Sequence, residues 1–281
     1  MIQVTPLENE NFGAVVSGVS TDRPLTDTDV EQIKDALAEH TAVVINDLDE
    51  DAEWLLRLGR GFGPLQPHIL DQYHHPMSSE MSIITANMGN QESRTTKKPA
   101  GAFWHSDQSY LATPSDAIML YATHVPTDGG DTMVANTQLA YDALSDSMKK
   151  RIEGLTAIHR YGYRGGAAVT NLNEEQRKKT PDVEHPVVRT HPRSGRKILY
   201  VNPGFTMTIK GMPDDESEAL LDELFEHELK PEFRYIHKWS KGQLAILDNR
   251  QSMHCAVAGY KDPMRKLRMI VGCTDQEILA A

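Results

Sequence analysis

His105 and Asp107 stand two apart in the run Trp104-His105-Ser106-Asp107. If Trp104 to Tyr110 is a strand end at the mouth of a barrel, residues i and i+2 share a face. An imidazole nitrogen and a carboxylate oxygen then converge on one point. With a second, distant histidine they form a two-histidine, one-carboxylate set, which leaves one side of an octahedral iron open to co-substrate and oxygen. The chain has 12 histidines and 40 acidic residues, so a single His-x-Asp arises easily by accident. The pair gains weight only from what accompanies it downstream.

Composition narrows the setting. A length of 281 residues suits one domain, 1–281, because β-barrels and sandwiches of this size often stay undivided. The formal net charge of −11 excludes a nucleic-acid partner and docking on an anionic membrane. It is compatible with a local cationic pocket for a small molecule. No apolar run is long enough to span a bilayer, and Met1-Ile2-Gln3-Val4 does not begin a secretory signal. The two cysteines, Cys255 and Cys273, match a reducing cytoplasm better than a disulfide scaffold. Cys255 follows His254, and in a strand it faces the opposite way, toward buried packing.

The elements that must position such a site are short. Thr26 caps a helix with Asp29 at the capping-box position and Val30, Ile33 and Leu37 at helical spacing. A buried strand over 41–45 follows, then a helix from Ala52 to Leu58 ended by Gly59. Further strands are expected at Met81–Thr85, Ala117–Thr123, Met133–Ala135, Val187–Thr190, Ile198–Asn202 and Phe205–Ile209. Closing strands are expected at Leu244–Leu247, His254–Ala258 and Leu267–Cys273. Helices are expected from Asn136 or Thr137 through Leu144, followed by a second turn or two through Ile152, and from Glu216 to His227, with Pro231 as the stop. The polar stretches 87–101 and 161–184 are candidate lid loops. The pattern is mainly β with flanking helices, a double-sheet jelly roll.

In its carboxyl-terminal half the chain carries Leu247-Asp248-Asn249-Arg250, then His254, Tyr260 and Arg265. With His105-Ser106-Asp107, Gly129-Gly130-Asp131-Thr132 and Asn202-Pro203-Gly204-Phe205-Thr206, these resemble the taurine dioxygenase family, which also contains the chlorophenoxyacetate dioxygenases. The resemblance implies a double-stranded β-helix (jelly-roll) core, with Fe(II), 2-oxoglutarate and O2 as cofactor and co-substrates. It implies His105, Asp107 and His254 as iron ligands, and Thr132 and Arg265 as the groups holding the far carboxylate of 2-oxoglutarate. Trp104 and Asn249-Arg250 are assigned to positioning and packing. The implied reaction hydroxylates an unactivated C–H bond of a small organic acid, amino-acid derivative or secondary-metabolite intermediate, with succinate and CO2 as co-products. The same chemistry also gives desaturation or C–O, C–S or C–N cleavage. The alternative of another class is a non-catalytic jelly-roll metal-binding module.

His68 stands where the family has a substrate-contacting histidine, and Phe205 matches a pocket aromatic. The taurine enzyme's second arginine, four residues after the co-substrate arginine, is replaced by Met269, which joins His68 and Phe205 as a candidate substrate-binding residue. Arg268 lies one residue earlier, where alternation sends it to the opposite face from Arg265. Taurine is therefore not the expected substrate. Relatives are commonly dimers or tetramers, so a homo-oligomer is expected.

Overall fold

Apolar alternation builds one large sheet with two dissimilar faces. A computed structural model of the chain describes residues 2–8, 10–67, 73–85, 101–161, 174–257 and 265–272, without the side chains of Gln176, Arg177, Lys179 and Arg265. His68, Tyr260 and Cys273, and most of both candidate lid stretches, lie outside the described residues. In chain order the first elements are β1 (Gln3–Pro6), β2 (Ala14–Ser17), α1 (Asp27–His40), β3 (Ala42–Ile45), α2 (Ala52–Phe62), β4 (Leu65–Gln66) and β5 (His74–His75). Then come β6 (Ser78–Thr85), β7 (Ala117–His124), β8 (Thr132–Asn136), α3 (Thr137–Asp142), α4 (Asp146–Ile152) and β9 (Thr156–His159). They are followed by α5 (Glu174–Lys179), β10 (Val183–Pro186), β11 (Val188–Thr190), β12 (Lys197–Leu199) and β13 (Thr206–Ile209). The last are α6 (Asp214–Glu228), β14 (Arg234–His237), β15 (Leu244–Asp248), β16 (Ser252–Ala256) and β17 (Arg265–Val271).

The large sheet runs β1-β2-β3-β15-β7-β17-β6-β5, with β4 paired to β17. Its members alternate cleanly. Val43, Ile45, Met119, Tyr121, Leu244, Ile246, Leu267, Met269 and Val271 face a core covered by α1 and α2. Val44, Ile118, Leu120, Ala122, Ala245 and Ile270 face the other way and pack with Trp239. The smaller sheet β14-β8-β16 supplies Val134 and Tyr235, which pack against Ala42 and Leu247 of the large sheet. Two sheets enclosing an apolar interior form the double-stranded β-helix, or jelly roll, expected from the sequence.

The capping box at Thr26 and Asp29 is present, with Asp29 N–H donating to Thr26 Oγ1 and Thr26 N–H to Asp29 Oδ2. Helix α2, however, passes through Gly59 and stops at Gly63. Gly59 is a contact residue rather than a stop, since a Cβ there would come within 3.0 Å of Leu65. The helix expected through Leu144 and the further turns to Ile152 are α3 and α4, and Ser145 caps the second by accepting from Met148 N–H. Part of the stretch 161–184 is regular structure, the helix α5 and the start of β10, so it is not one long loop.

Helix α6 ends on an anomaly. Glu228 is fully buried, and neither carboxylate oxygen has a hydrogen-bond partner among the described residues. Burial raises its pKa well above the usual value, so the folded chain holds a proton there that the unfolded chain releases. Because the folded state binds the extra proton, this residue's contribution to stability falls as pH rises above the ordinary glutamate range. Glu228→Met is expected to raise stability at pH 8 by about 1–3 kcal/mol and to flatten the decline from pH 5 to 8. Denaturant melts across that range provide the measurement, and an unchanged slope would count against the assignment.

Candidate metal centre

His254 sits near the middle of β16, with Val134 of β8 as its register partner. His105 adds to the open side of β16 through a single antiparallel bridge: its N–H donates to His254 O at 3.1 Å, and His254 N–H returns to His105 O at 2.9 Å. The stretch Trp104–Tyr110 is therefore not a strand. After that one bridge the chain turns, and Gln108 takes a positive φ of 59°. What replaces the ladder is one side chain. Asn249 accepts from Asp107 N–H (2.8 Å) through Oδ1, and its Nδ2 donates to Asp107 O (2.8 Å), Ser115 O and Ser115 Oγ. Asn249 itself follows Asp248, whose buried carboxylate meets His191 Nε2 at 2.9 Å and accepts from Arg250. Although burial opposes it, Arg250 and His191 hold that carboxyl far below the ordinary range. The positioning role given to Asn249-Arg250 thus has a concrete form.

Asn249→Ala is expected to leave the Asp107 amide unpaired and to lower metal affinity or turnover about 10- to 100-fold. Fe(II) titration of the purified variant reads this directly. An affinity within twofold of the parent would count against the clamp.

The turn brings His105, Asp107 and His254 together, with one potential ligand atom from each within 4.8 Å of the others. His105 Nε2 lies 3.6 Å from Asp107 Oδ1, and His254 Nε2 lies 3.9 Å from Asp107 Oδ2. His105 Nδ1 contacts Phe103 O at 2.7 Å, which as an N–H donor leaves Nε2 as the lone-pair nitrogen facing Asp107. Burial lowers the pKa of His105, and burial with His105 beside it takes His254 down to about 3. Both rings are neutral at pH 7. Two neutral imidazoles and one carboxylate are a fitting donor set for a divalent iron that keeps three positions open. Among the described residues no fourth histidine, cysteine or acid joins the group.

An aromatic wall adjoins it. Phe205 meets Phe103, His105, Tyr110 and Tyr161, and the Tyr110 ring is 4.8 Å from it. Gly204 lets this wall approach, since a Cβ there would stand 2.7 Å from the Phe103 ring and 3.0 Å from His105 Cβ. Thr132 is buried on β8, paired with Ala256 two residues beyond His254, and its Oγ1 accepts from Trp239 Nε1 at 3.0 Å. Cys255 is buried, as expected for the residue that follows His254 on the strand.

Two expectations are corrected. Met269 is not a pocket residue; it is fully buried with Met81 and Met119 in the helix-covered core. Arg268 is not turned away from the site. Its Nη1 lies 3.6 Å from Asp107 Oδ2. The pairing of β17 with β7 shifts register between Arg265 and Lys266, with Thr123 as the extra residue on β7, but the pairing of β17 with β6 runs without a break. Strand β17 therefore keeps its alternation, and the face carrying Lys266 and Arg268 is the one turned to the site. The usable signal was the strand's own pattern, with Leu267, Met269 and Val271 on one face and Lys266, Arg268 and Ile270 on the other.

A jelly roll carrying two histidines and an aspartate at its mouth defines a class of metal-dependent oxygenases. Residues 3–274 match the family model described as taurine catabolism dioxygenase TauD, TfdA family, and the chain belongs to that family. It is accordingly an Fe(II)- and 2-oxoglutarate-dependent dioxygenase. The chain is 32% identical over 255 residues to an alpha-ketoglutarate-dependent 2,4-dichlorophenoxyacetate dioxygenase of Cupriavidus pinatubonensis, covering 86% of this chain and 88% of that one. A taurine dioxygenase structure from Burkholderia xenovorans superposes with TM-score 0.79 at 31% identity, covering 97% of this chain and 89% of that one. The structure of AAD-2 with Mn(II) and N-oxalylglycine gives TM-score 0.80 at 29% identity over the full length of both chains.

Proposed function

We propose that His105, Asp107 and His254 hold Fe(II), that Thr132 and Arg265 help to bind 2-oxoglutarate, and that the chain hydroxylates an unactivated C–H bond of a small organic acid. The convergence of three ligand atoms within 4.8 Å on one open-sided cluster carries this reading. When bound, the iron supplies the activation of O2 that is coupled to decarboxylation of 2-oxoglutarate, giving succinate and CO2. The protein's own work is placement. His105 is held by the Phe103 carbonyl, Asp107 by the Asn249 amide, and His254 by its strand. Phe103, Phe205 and Tyr110 wall the site with apolar surface that excludes water.

The substrate class follows from charge. Arg268 presents a guanidinium beside Asp107, in position to pair with a carboxylate held next to the metal. Arg160 pairs with Asp182, and Arg193 with Glu31 and Asp35. The dichlorophenoxyacetate and taurine relatives both act on small organic acids, which supports the same breadth here. Among the described residues no helix is long and apolar enough to cross a membrane. A single domain, acting in a reducing compartment, completes the proposal.

The test is anaerobic addition of Fe(II) and 2-oxoglutarate followed by succinate assay over a panel of aryloxy, aliphatic and amino-acid-derived carboxylates. A visible charge-transfer band and carboxylate-stimulated succinate release are expected. Stimulation by taurine alone would overturn the substrate class, and the absence of a band would indicate an inert metal-binding module.

A further inference from the structure

Two residues along β17 from Arg268, the inner face carries a second cation. Lys266 is only 5% exposed, its Nζ donates to Gly130 O at 3.0 Å, and it lies 4.1 Å above the Trp239 ring. Among the described residues no carboxylate stands within ion-pair reach of it. A buried ammonium with one of three donors used, a π face beneath it and only the more distant charge of Asp131 to favour it is costly unless a partner arrives. The indole beneath it identifies where that partner binds. Trp239 donates through Nε1 to Thr132 Oγ1, so the ammonium and that hydroxyl lie against the same ring. Thr132 in turn is two register pairs from His254. Arg268, at the other end of this strip, reaches Asp107. A two-residue step on an antiparallel strand spans about 6.8 Å, comparable with the length of an extended five-carbon dicarboxylate.

We propose that Lys266 is a co-substrate-binding residue whose ammonium, together with the Thr132 hydroxyl, receives the far carboxylate of 2-oxoglutarate. This rests on reading the chain as a 2-oxoglutarate-dependent dioxygenase. It assigns to a lysine the charge that the family resemblance gives to Arg265 alone.

The assignment carries a pH signature. Burial lowers the Lys266 pKa to about 7, opposed by Asp131 in the preceding turn. The other titratable groups facing it are His237 on β14, kept neutral by burial and by Lys266 itself, and Arg268 on the same strand. A carboxylate arriving at Lys266 favours the charged form, so binding takes up a proton once the free lysine has lost it. Affinity for 2-oxoglutarate then falls about tenfold per pH unit above 7.

The experiment titrates 2-oxoglutarate into the anaerobic Fe(II) protein from pH 6.5 to 8.5, reading the charge-transfer band and, independently, thermal stabilisation of the Mn(II) protein. Lys266→Met is expected to weaken binding about thirtyfold at pH 6.5 and to abolish the slope. Lys266→Arg keeps the charge and is expected to retain affinity while flattening the slope, which guards against a methionine variant that fails to fold. With 2-oxobutyrate, which lacks the far carboxylate, parent and variants should agree. Binding by Lys266→Met within twofold of the parent and with the same slope overturns the proposal, as does loss of binding only in Arg265→Gln. A parent protein that gives neither band nor succinate refutes the underlying dioxygenase reading and takes the lysine's role with it.

Discussion

Asp107→Ala is expected to lower succinate-coupled turnover by at least about a thousandfold, equivalent to about 4 kcal/mol of barrier, while the chain remains folded. Retained folding follows from how the residue is held. Its place in the turn is fixed through its own amide and carbonyl by Asn249 and Ser115, none of which touches the carboxylate. The side chain can therefore be removed without removing the turn. What goes is the one anionic member of the cluster, leaving two neutral imidazoles and the Arg268 guanidinium facing a metal. A cation placed beside a divalent ion with no carboxylate between them opposes binding, so metal affinity and turnover should fall together. Circular dichroism and thermal melting report the fold, and Fe(II) titration reports the metal. Turnover within tenfold of the parent, with the iron still bound, would show that Asp107 is not a ligand.

Which parts of this arrangement were legible in the sequence follows from the range of the interactions that set them. The capping box at Thr26 and Asp29 is a four-residue device, and the strands Ala42–Ile45 and Leu244–Asp248 carry their own apolar signature, so both could be read locally. The metal cluster was reached through motif order rather than through local structure. The reading of Trp104–Tyr110 as a strand failed because Asp107 is held by Asn249, 142 residues away, and a side-chain amide leaves no periodic trace. The misreading of Arg268 and Met269 has a different origin. Alternation along β17 holds, and what failed was the choice of face: Leu267 and Met269 enter the helix-covered core while Lys266 and Arg268 face the interior, which a motif position counted from Arg265 does not reveal. Gly59 shows a third limit. Glycine serves both as a helix stop and as room for a neighbour, and only the position of Leu65 distinguishes the two.

Gly204→Ala is expected to lower kcat about a hundredfold and to cost about 1–3 kcal/mol of stability, from a single methyl group. The backbone at Gly204 does not have a positive φ, so the substitution is a question of space alone. The added Cβ would meet Phe103 Cε2 at 2.7 Å, Phe103 Cδ2 at 2.9 Å and His105 Cβ at 3.0 Å. Phe103 cannot swing aside freely, because its ring packs at 4.6 Å against the His105 imidazole and at 5.8 Å against Phe205. Nor can its backbone move without consequence, since its carbonyl oxygen fixes His105 Nδ1. The strain is therefore relieved through His105, and a ligand displaced by a few tenths of an ångström no longer converges with Asp107 and His254. Phe103→Leu added to Gly204→Ala removes the ring but keeps the carbonyl, and should restore most of the lost turnover. A double variant no more active than Gly204→Ala would show that the wall does not act through ring packing. A single variant with parental kcat would show that the glycine is not needed to seat the histidine.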